Sequence, residues 1–283
     1  METIAWFGAG LMGSGFVEAL RRRGSDVVVY NRTFEKARAL ERFGARAAGD
    51  PREAARGARR LHLMVADDAA VDALLESLDG AIEPGAVVID HSTVAPLPTK
   101  TRFERMASRG VGFLHAPVLM SPQAAREGGG LMMVSGPQAV FAEVEAELSP
   151  MAAHLWYLGE RPEKAAALKL CGNQMLFFIV AGLADIYATA RAAGVTPHEA
   201  FELFSHFKPG GALEWRGKKM ADGDFAAAFE LTMARKDVRL MLETAAAGRS
   251  PLHVLPAIAA RMAELIASGR GGDDLAVLGV DSR

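Results

Sequence analysis

The chain has 283 residues, half of them hydrophobic and 23% charged, which is ample apolar material for a core and no case for disorder. At roughly 150 residues per domain the length points to about two domains. Lys and Arg total 32 against 34 Asp and Glu, a balance of −2 that argues against a nucleic-acid or membrane-surface partner.

From Thr3 to Gly159 short β-branched runs alternate with amphipathic stretches. Strands are expected at Thr3–Phe7, 27–30, 61–65, 86–90, 111–115, 131–135 and 154–158, with helices at 11–23, 34–43, 68–78 and 98–108 between them. Continuous apolar strands separated by helices predict a parallel sheet covered on both faces. Beyond Gly159 the pattern turns helical, at 163–193, 197–204, 229–247 and 251–268, and the stretch from Gly271 reads as a surface tail. The apolar run Met175 to Leu183 is too short by itself to span a bilayer. The single cysteine, Cys171, excludes an internal disulfide framework and suits a reducing compartment. No secretory leader is visible ahead of the first strand, so the expectation is a cytoplasmic protein.

The first strand runs into Gly8-Ala9-Gly10-Leu11-Met12-Gly13 and then into a helix. In such a GxGxxG turn the first glycine makes the tight bend, the second lets the backbone approach a pyrophosphate and the third lets helix and strand pack closely. The phosphates then sit at the positive end of the helix. The second strand ends in Asn31-Arg32-Thr33, without the acidic residue that holds the ribose 2′-hydroxyl of NAD. Arg32 can pair with a 2′-phosphate, and the Asn31 and Thr33 side chains can donate hydrogen bonds, so NADP(H) is preferred over NAD(H).

The helix from Ala165 to Ala184 is apolar nearly all round, which predicts that it is buried. Lys169 and Asn173 are four apart and share a face. Burial costs a lysine its charge and lowers its pKa toward the range useful for proton transfer, so the pair is a candidate catalytic site. Cys171 reads as a core thiol. Arg235-Lys236-Asp237, by itself, reads as solvated helix charge.

Taken in order, the glycine loop, Asn31-Arg32-Thr33, Asp90-His91-Ser92-Thr93-Val94-Ala95-Pro96, Ala116-Pro117-Val118, Lys169 with Asn173, and Lys236-Asp237 resemble the β-hydroxyacid dehydrogenase family. That family includes 3-hydroxyisobutyrate dehydrogenases and glyoxylate/succinic semialdehyde reductases. The resemblance implies an α/β fold: a Rossmann-type doubly wound parallel sheet at residues 1–160, then an all-helical substrate and oligomerisation domain at 161–283, joined by a long helix. It implies hydride transfer between NADPH and a small carbonyl substrate, in a homodimer or homotetramer without nucleic-acid or membrane partners. Lys169 would protonate the forming alkoxide and Asn173 would orient it. Val65, Ala66 and Thr93 would lie along the cofactor, with Phe229 and Lys236 reaching it from the helical domain and Asp237 contacting substrate. Val118, Leu119, Met120 and Ser121 would form the substrate loop. Here the sequence departs from the family, which has serine and glycine where this chain has Leu119 and Met120, and asparagine where it has Gly172. Either Ser121 takes over the anchoring of a substrate carboxylate, or the substrate lacks one. The alternatives are an imine reductase-like enzyme and a non-catalytic NADPH-binding module.

Overall fold

The computed structural model describes residues 2–282. They form two compact units, one ending at Gln174 and the other beginning at Met175. The first unit runs β1 (Thr3–Phe7), α1 (Leu11–Arg22), β2 (Asp26–Tyr30), α2 (Phe34–Arg38), β3 (Arg46–Ala48), α3 (Pro51–Ala55), β4 (Ala58–Leu63), α4 (Asp68–Ser77), β5 (Val87–Asp90), α5 (Pro96–Ala107) and β6 (Gly112–His115). It continues with β7 (Val118–Leu119), α6 (Pro122–Glu127), β8 (Leu131–Val134), α7 (Gln138–Leu148), β9 (His154–Tyr157) and the start of α8 (Glu163–Ala192).

Strands β1 to β6 make one parallel sheet in the order β3-β2-β1-β4-β5-β6. The chain winds outward one way from β1 and then returns to lay β4 on its other side. The loops after β1 and β4 therefore diverge, and this switch point opens a crevice at the carboxyl ends of the strands. The apolar strands supply two cores because alternate side chains face opposite ways. Ile4, Trp6, Val27, Val29 and Ile89 pack on one face, and Ala5, Phe7, Val28 and Val88 on the other.

The last two expected strands do not extend this sheet. β8 pairs with β9 in parallel and with β7 in antiparallel fashion, in a separate sheet of three strands. Pro117, which has no amide N–H to give to a ladder, stands between β6 and β7, and its carbonyl accepts from Met133 N. The expected helix at 34–43 stops at Arg38 and resumes as a 3₁₀ turn, Glu41–Phe43, closed by Gly44 at φ +86°.

The second unit holds the rest of α8 with α9 (Pro197–His206), α10 (Gly210–Asp222), α11 (Leu231–Ala247) and α12 (Leu255–Leu265). Its core joins Leu231, Ala234 and Val238 of α11 to Ala259, Met262 and Leu265 of α12. α12 begins at Leu255, later than expected, because Asp185 on α8 takes the N–H groups of His253, Val254 and Leu255 at 2.8, 2.9 and 2.9 Å. The closing stretch is not a surface tail. Asp274 is wholly buried, accepts the amides of Ala228, Phe229 and Ala276, and starts a 3₁₀ turn, Leu275–Gly279, whose Val277 joins the core.

The burial expected for α8 is also not met. Leu176, Phe177, Phe178, Ile179 and Val180 are each 52–66% exposed. Counted with its flanking alanines, the helix is long and apolar enough to cross a membrane, which the run 175–183 alone is not. Cys171, on the same helix, is exposed rather than in the core.

Candidate active site

The crevice at the switch point is a cavity of about 780 Å³ in the first unit. Its first wall is the loop from β1 to α1. Gly8 has φ +108°, and a Cβ there would lie 2.1 Å from the carbonyl oxygen of Met64, so no other residue fits the turn. A Cβ on Gly13 would meet the carbonyl of Gly8 at 2.1 Å, so the start of α1 sits directly on the end of β1. Gly10 is different, because nothing lies within 4 Å of where its Cβ would be. Its bare face is open, it caps α1 without a side chain, and the first amides of the helix are left for an anion. These residues fit the pyrophosphate of a dinucleotide.

Asn31 braces this loop. Its Oδ1 accepts from Ala9 N at 2.9 Å, and its Nδ2 donates to the carbonyl of Thr33 at 2.9 Å. Both ends of the amide are therefore engaged, and its role is to tie the glycine loop to the end of β2. Arg32 and Thr33 are exposed and line the cavity, joined by Lys36, which lies on the first turn of α2.

Beneath the loop Trp6, wholly buried, donates its indole N–H to the carbonyl of Gly8 at 3.0 Å. Its ring stacks on His62 and His91, with centroids 5.1 and 5.7 Å apart. His91 Nδ1 lies 2.7 Å from the carbonyl of Ala116, which can only accept, so that nitrogen carries the hydrogen. Its Nε2 then accepts from His62 Nδ1 at 2.9 Å. Burial pushes His91 down to about 4 and His62 well below the ordinary 6.5, so both are neutral. Nearby, Ser92 Oγ accepts from Val65 N at 3.0 Å and fixes the loop after β4.

The far end of the cavity carries Val118, Met120 and Lys169. Lys169 is half-buried, and its Nζ donates to the carbonyl of Val118 at 2.6 Å and to Asn173 Oδ1 at 3.0 Å. Burial holds its pKa below the ordinary 10.5. An ammonium with two of its three hydrogens fixed and a reduced pKa is arranged to pass a proton to an oxygen.

Of the residues expected at a cofactor, Gly8, Gly10, Leu11, Met12, Gly13, Asn31, Arg32, Thr33, Val65, Ala66 and Thr93 all line this cavity. Ala9 is buried behind the loop and contributes its amide to Asn31 instead. Among the expected substrate residues, Val118, Met120 and Lys169 line the cavity, and Asn173 contacts Lys169. Leu119 packs on Gly172, and Ser121 Oγ accepts from Ala124 N at 3.1 Å as the cap of α6. Phe229, Lys236 and Asp237 belong to the second unit, where Phe229 packs against the α11–α12 core and Lys236 pairs with Asp237 at 3.0 Å on an exposed face. Lys36 also lines the cavity without being singled out by the sequence, and His91 and Ser92 line it with no site role expected for them beyond their place in the Asp90–Pro96 segment. Lys36 was legible in principle, as a second cation four residues after Arg32.

The family model described as the NAD binding domain of 6-phosphogluconate dehydrogenase matches residues 3–159. A second, described as the NAD-binding domain of NADP-dependent 3-hydroxyisobutyrate dehydrogenase, matches residues 164–280. The chain belongs to the 3-hydroxyisobutyrate dehydrogenase family. Within this family of NAD(P)-binding oxidoreductases it is 30% identical over 263 residues to an uncharacterized oxidoreductase of Shewanella frigidimarina, covering 90% of this chain and 89% of that one. It is 29% identical over 249 residues to glyoxylate/succinic semialdehyde reductase 2, chloroplastic, of Arabidopsis thaliana, covering 85% and 68%. Its fold matches that of an imine reductase from Myxococcus stipitatus in complex with NADP+, with a TM-score of 0.92 over the whole of both chains at 20% identity.

Proposed function

We propose that this 3-hydroxyisobutyrate dehydrogenase family member is an NADP(H)-dependent reductase of a small aldehyde or ketone, with Lys169 as general acid. The observation that carries the reading is the Lys169 ammonium, held by Val118 O and Asn173 Oδ1 at one end of the cavity that has the glycine loop at the other. The nicotinamide, when bound, supplies the hydride to the carbonyl carbon. Lys169 gives its proton to the carbonyl oxygen as negative charge develops there, and the positive charge stabilises that oxygen before transfer. Asn173 and the Val118 carbonyl fix two ammonium hydrogens and so direct the third at the substrate. From the second unit we assign Phe229 and Lys236 to the cofactor and Asp237 to the substrate, on the resemblance of the Lys236-Asp237 segment.

The preference for NADP(H) is supported by Arg32 and Lys36 on the lining, and by a β2 end without a carboxylate. The reductase named for semialdehydes among the relatives supports a small carbonyl substrate. We further propose that a second copy of the chain, not a bilayer, covers the apolar side of α8. A bilayer around that helix would also have to accommodate Lys169 and Asp185, at about 3 kcal/mol each. Homodimer or homotetramer and a cytoplasmic location follow as one reading, and a lone thiol suits that compartment.

Thermal stabilisation by NADPH against NADH, followed by NADPH oxidation over aldehydes, ketones, 2-oxo acids, semialdehydes and cyclic imines, tests this function. A selective NADPH shift with carbonyl turnover is expected. Turnover of imines alone would replace the carbonyl reading, and absence of any NADPH shift would defeat it.

A further inference from the structure

We infer that the substrate of this site is an uncharged aldehyde or ketone, because Val118 and Met120, which line the cavity beside Lys169, offer a carboxylate no side-chain donor. The inference rests on the proposed reductase function and adds the substrate class. It begins with a count of hydrogens. An ammonium has three, and Lys169 has given one to the Val118 carbonyl and one to Asn173 Oδ1. One remains. It serves a carbonyl oxygen, and cannot hold a carboxylate as well.

The strand facing Lys169 adds no anion anchor from its side chains. Val118 and Met120, the residues of this segment on the cavity lining, are both apolar. Leu119, between them, points the other way and covers the backbone of α8 one turn from Lys169. A Cβ on Gly172 would lie 2.7 Å from Leu119 Cδ1 and 3.2 Å from Cδ2, so the leucine tip packs directly on the bare face of the glycine. Met120 is seated in the same manner on Gly130, whose Cβ would meet that of Met120 at 2.4 Å. The residue after Met120 is Ser121. It is outside the cavity lining among the described residues, where its hydroxyl oxygen accepts from Ala124 N in capping α6. A carboxylate brought against the side chains of Val118 and Met120 would lose water without gaining a side-chain donor, which is a costly way to bury a charge.

Butanal and 4-oxobutanoate differ by a methyl group against a carboxylate at the far end of the same chain, and they provide the test. With the full-length protein and saturating NADPH, kcat/KM should favour butanal by at least ~tenfold. Equal or better turnover of 4-oxobutanoate would overturn the assignment while leaving the reductase function standing. Met120→Ser, which places a hydroxyl on the lining, should raise the 4-oxobutanoate to butanal ratio at least ~tenfold, and an unmoved ratio would overturn the view that a missing donor is what disfavours the carboxylate. A readout independent of turnover is thermal stabilisation of the NADPH-bound protein by butyramide against butyrate. Butyramide alone should stabilise it, and a larger shift with butyrate would count against an uncharged site. Stabilisation by butyramide with neither aldehyde reduced would sink the reductase reading instead.

Discussion

The two ends of the cavity are built by different means. At the glycine loop the recognising atoms are backbone: Gly8 for its turn, Gly13 for its contact with β1, Gly10 for its open face, all within six consecutive residues. At Lys169 the geometry comes from segments far apart in sequence, with Val118 O set against Lys169 Nζ and Leu119 against Gly172. One end is thus shaped by backbone at Gly8 and Gly13, which admit no side chain, and the other by side-chain packing, where two coupled exchanges can alter the shape.

Removing the ammonium gives the widest separation between the ends. Lys169→Ala should lower turnover by ~10²–10⁴-fold while NADPH stabilises the variant as it does the parent. In the parent, kcat/KM for reduction should hold through neutral pH and fall on a basic limb that lies below 10.5, because burial has lowered the pKa of the acid. A limb at or above 10.5 would assign the proton to another group.

The floor under the glycine loop should show itself in acid. The unfolded chain protonates His91 at its ordinary 6.5 and the folded chain only near 4. Its contribution is therefore whole above 6.5 and is lost as the pH falls toward 4, by roughly 3 kcal/mol over that window. Urea midpoints at pH 7 and pH 4.5 measure this, and His91→Gln should flatten the dependence. Arg32→Ala should weaken NADPH by ~tenfold and leave NADH nearly untouched in a fluorescence titration, with Lys36→Ala adding to the loss. Equal losses for both cofactors would deny Arg32 its 2′-phosphate.

The smallest effect is the most diagnostic of coupling. The atom that Gly172→Ala would strike is the tip of Leu119, a flexible end, so a rise in KM of a few-fold is expected. Adding Leu119→Ala should restore it. Additive losses in the double variant would show that the two residues do not act as a pair.

The backbone-built end was legible because the features that recognise the ligand are also those that constrain the chain. The Gly8 to Gly13 spacing and the Arg32 ending of β2 are readable without neighbours, while the bond by which Asn31, itself on the cavity lining, also ties Ala9 to Thr33 is not. Such bracing depends on a contact 22 residues away, which spacing does not reveal. At the other end Lys169 and Asn173 were visible as a helical pair. What Leu119 does was not, since its partner is 53 positions along the chain. The misreading of α8 has a different origin. Apolar composition tells that a surface is kept from water without telling what covers it, and within one chain the side carrying Phe177 and Phe178 is bare. The buried Asp274 shows the converse error, because a Gly-rich, charged ending looks like a tail until its carboxylate is found collecting amides.

Trp6 gives the molecule an internal optical probe. Its indole is wholly buried and bonded to the very carbonyl that Gly8 contributes to the loop, whereas Trp156 and Trp215 are about half exposed. The three should separate under an aqueous quencher such as iodide, leaving the blue-shifted emission of Trp6 alone. Light emitted there falls within the absorption band of a reduced nicotinamide, so occupancy of the cavity can be followed by energy transfer from the residue that props up its phosphate cradle. No label needs to be attached, and the signal originates in the part of the fold that carries the binding event.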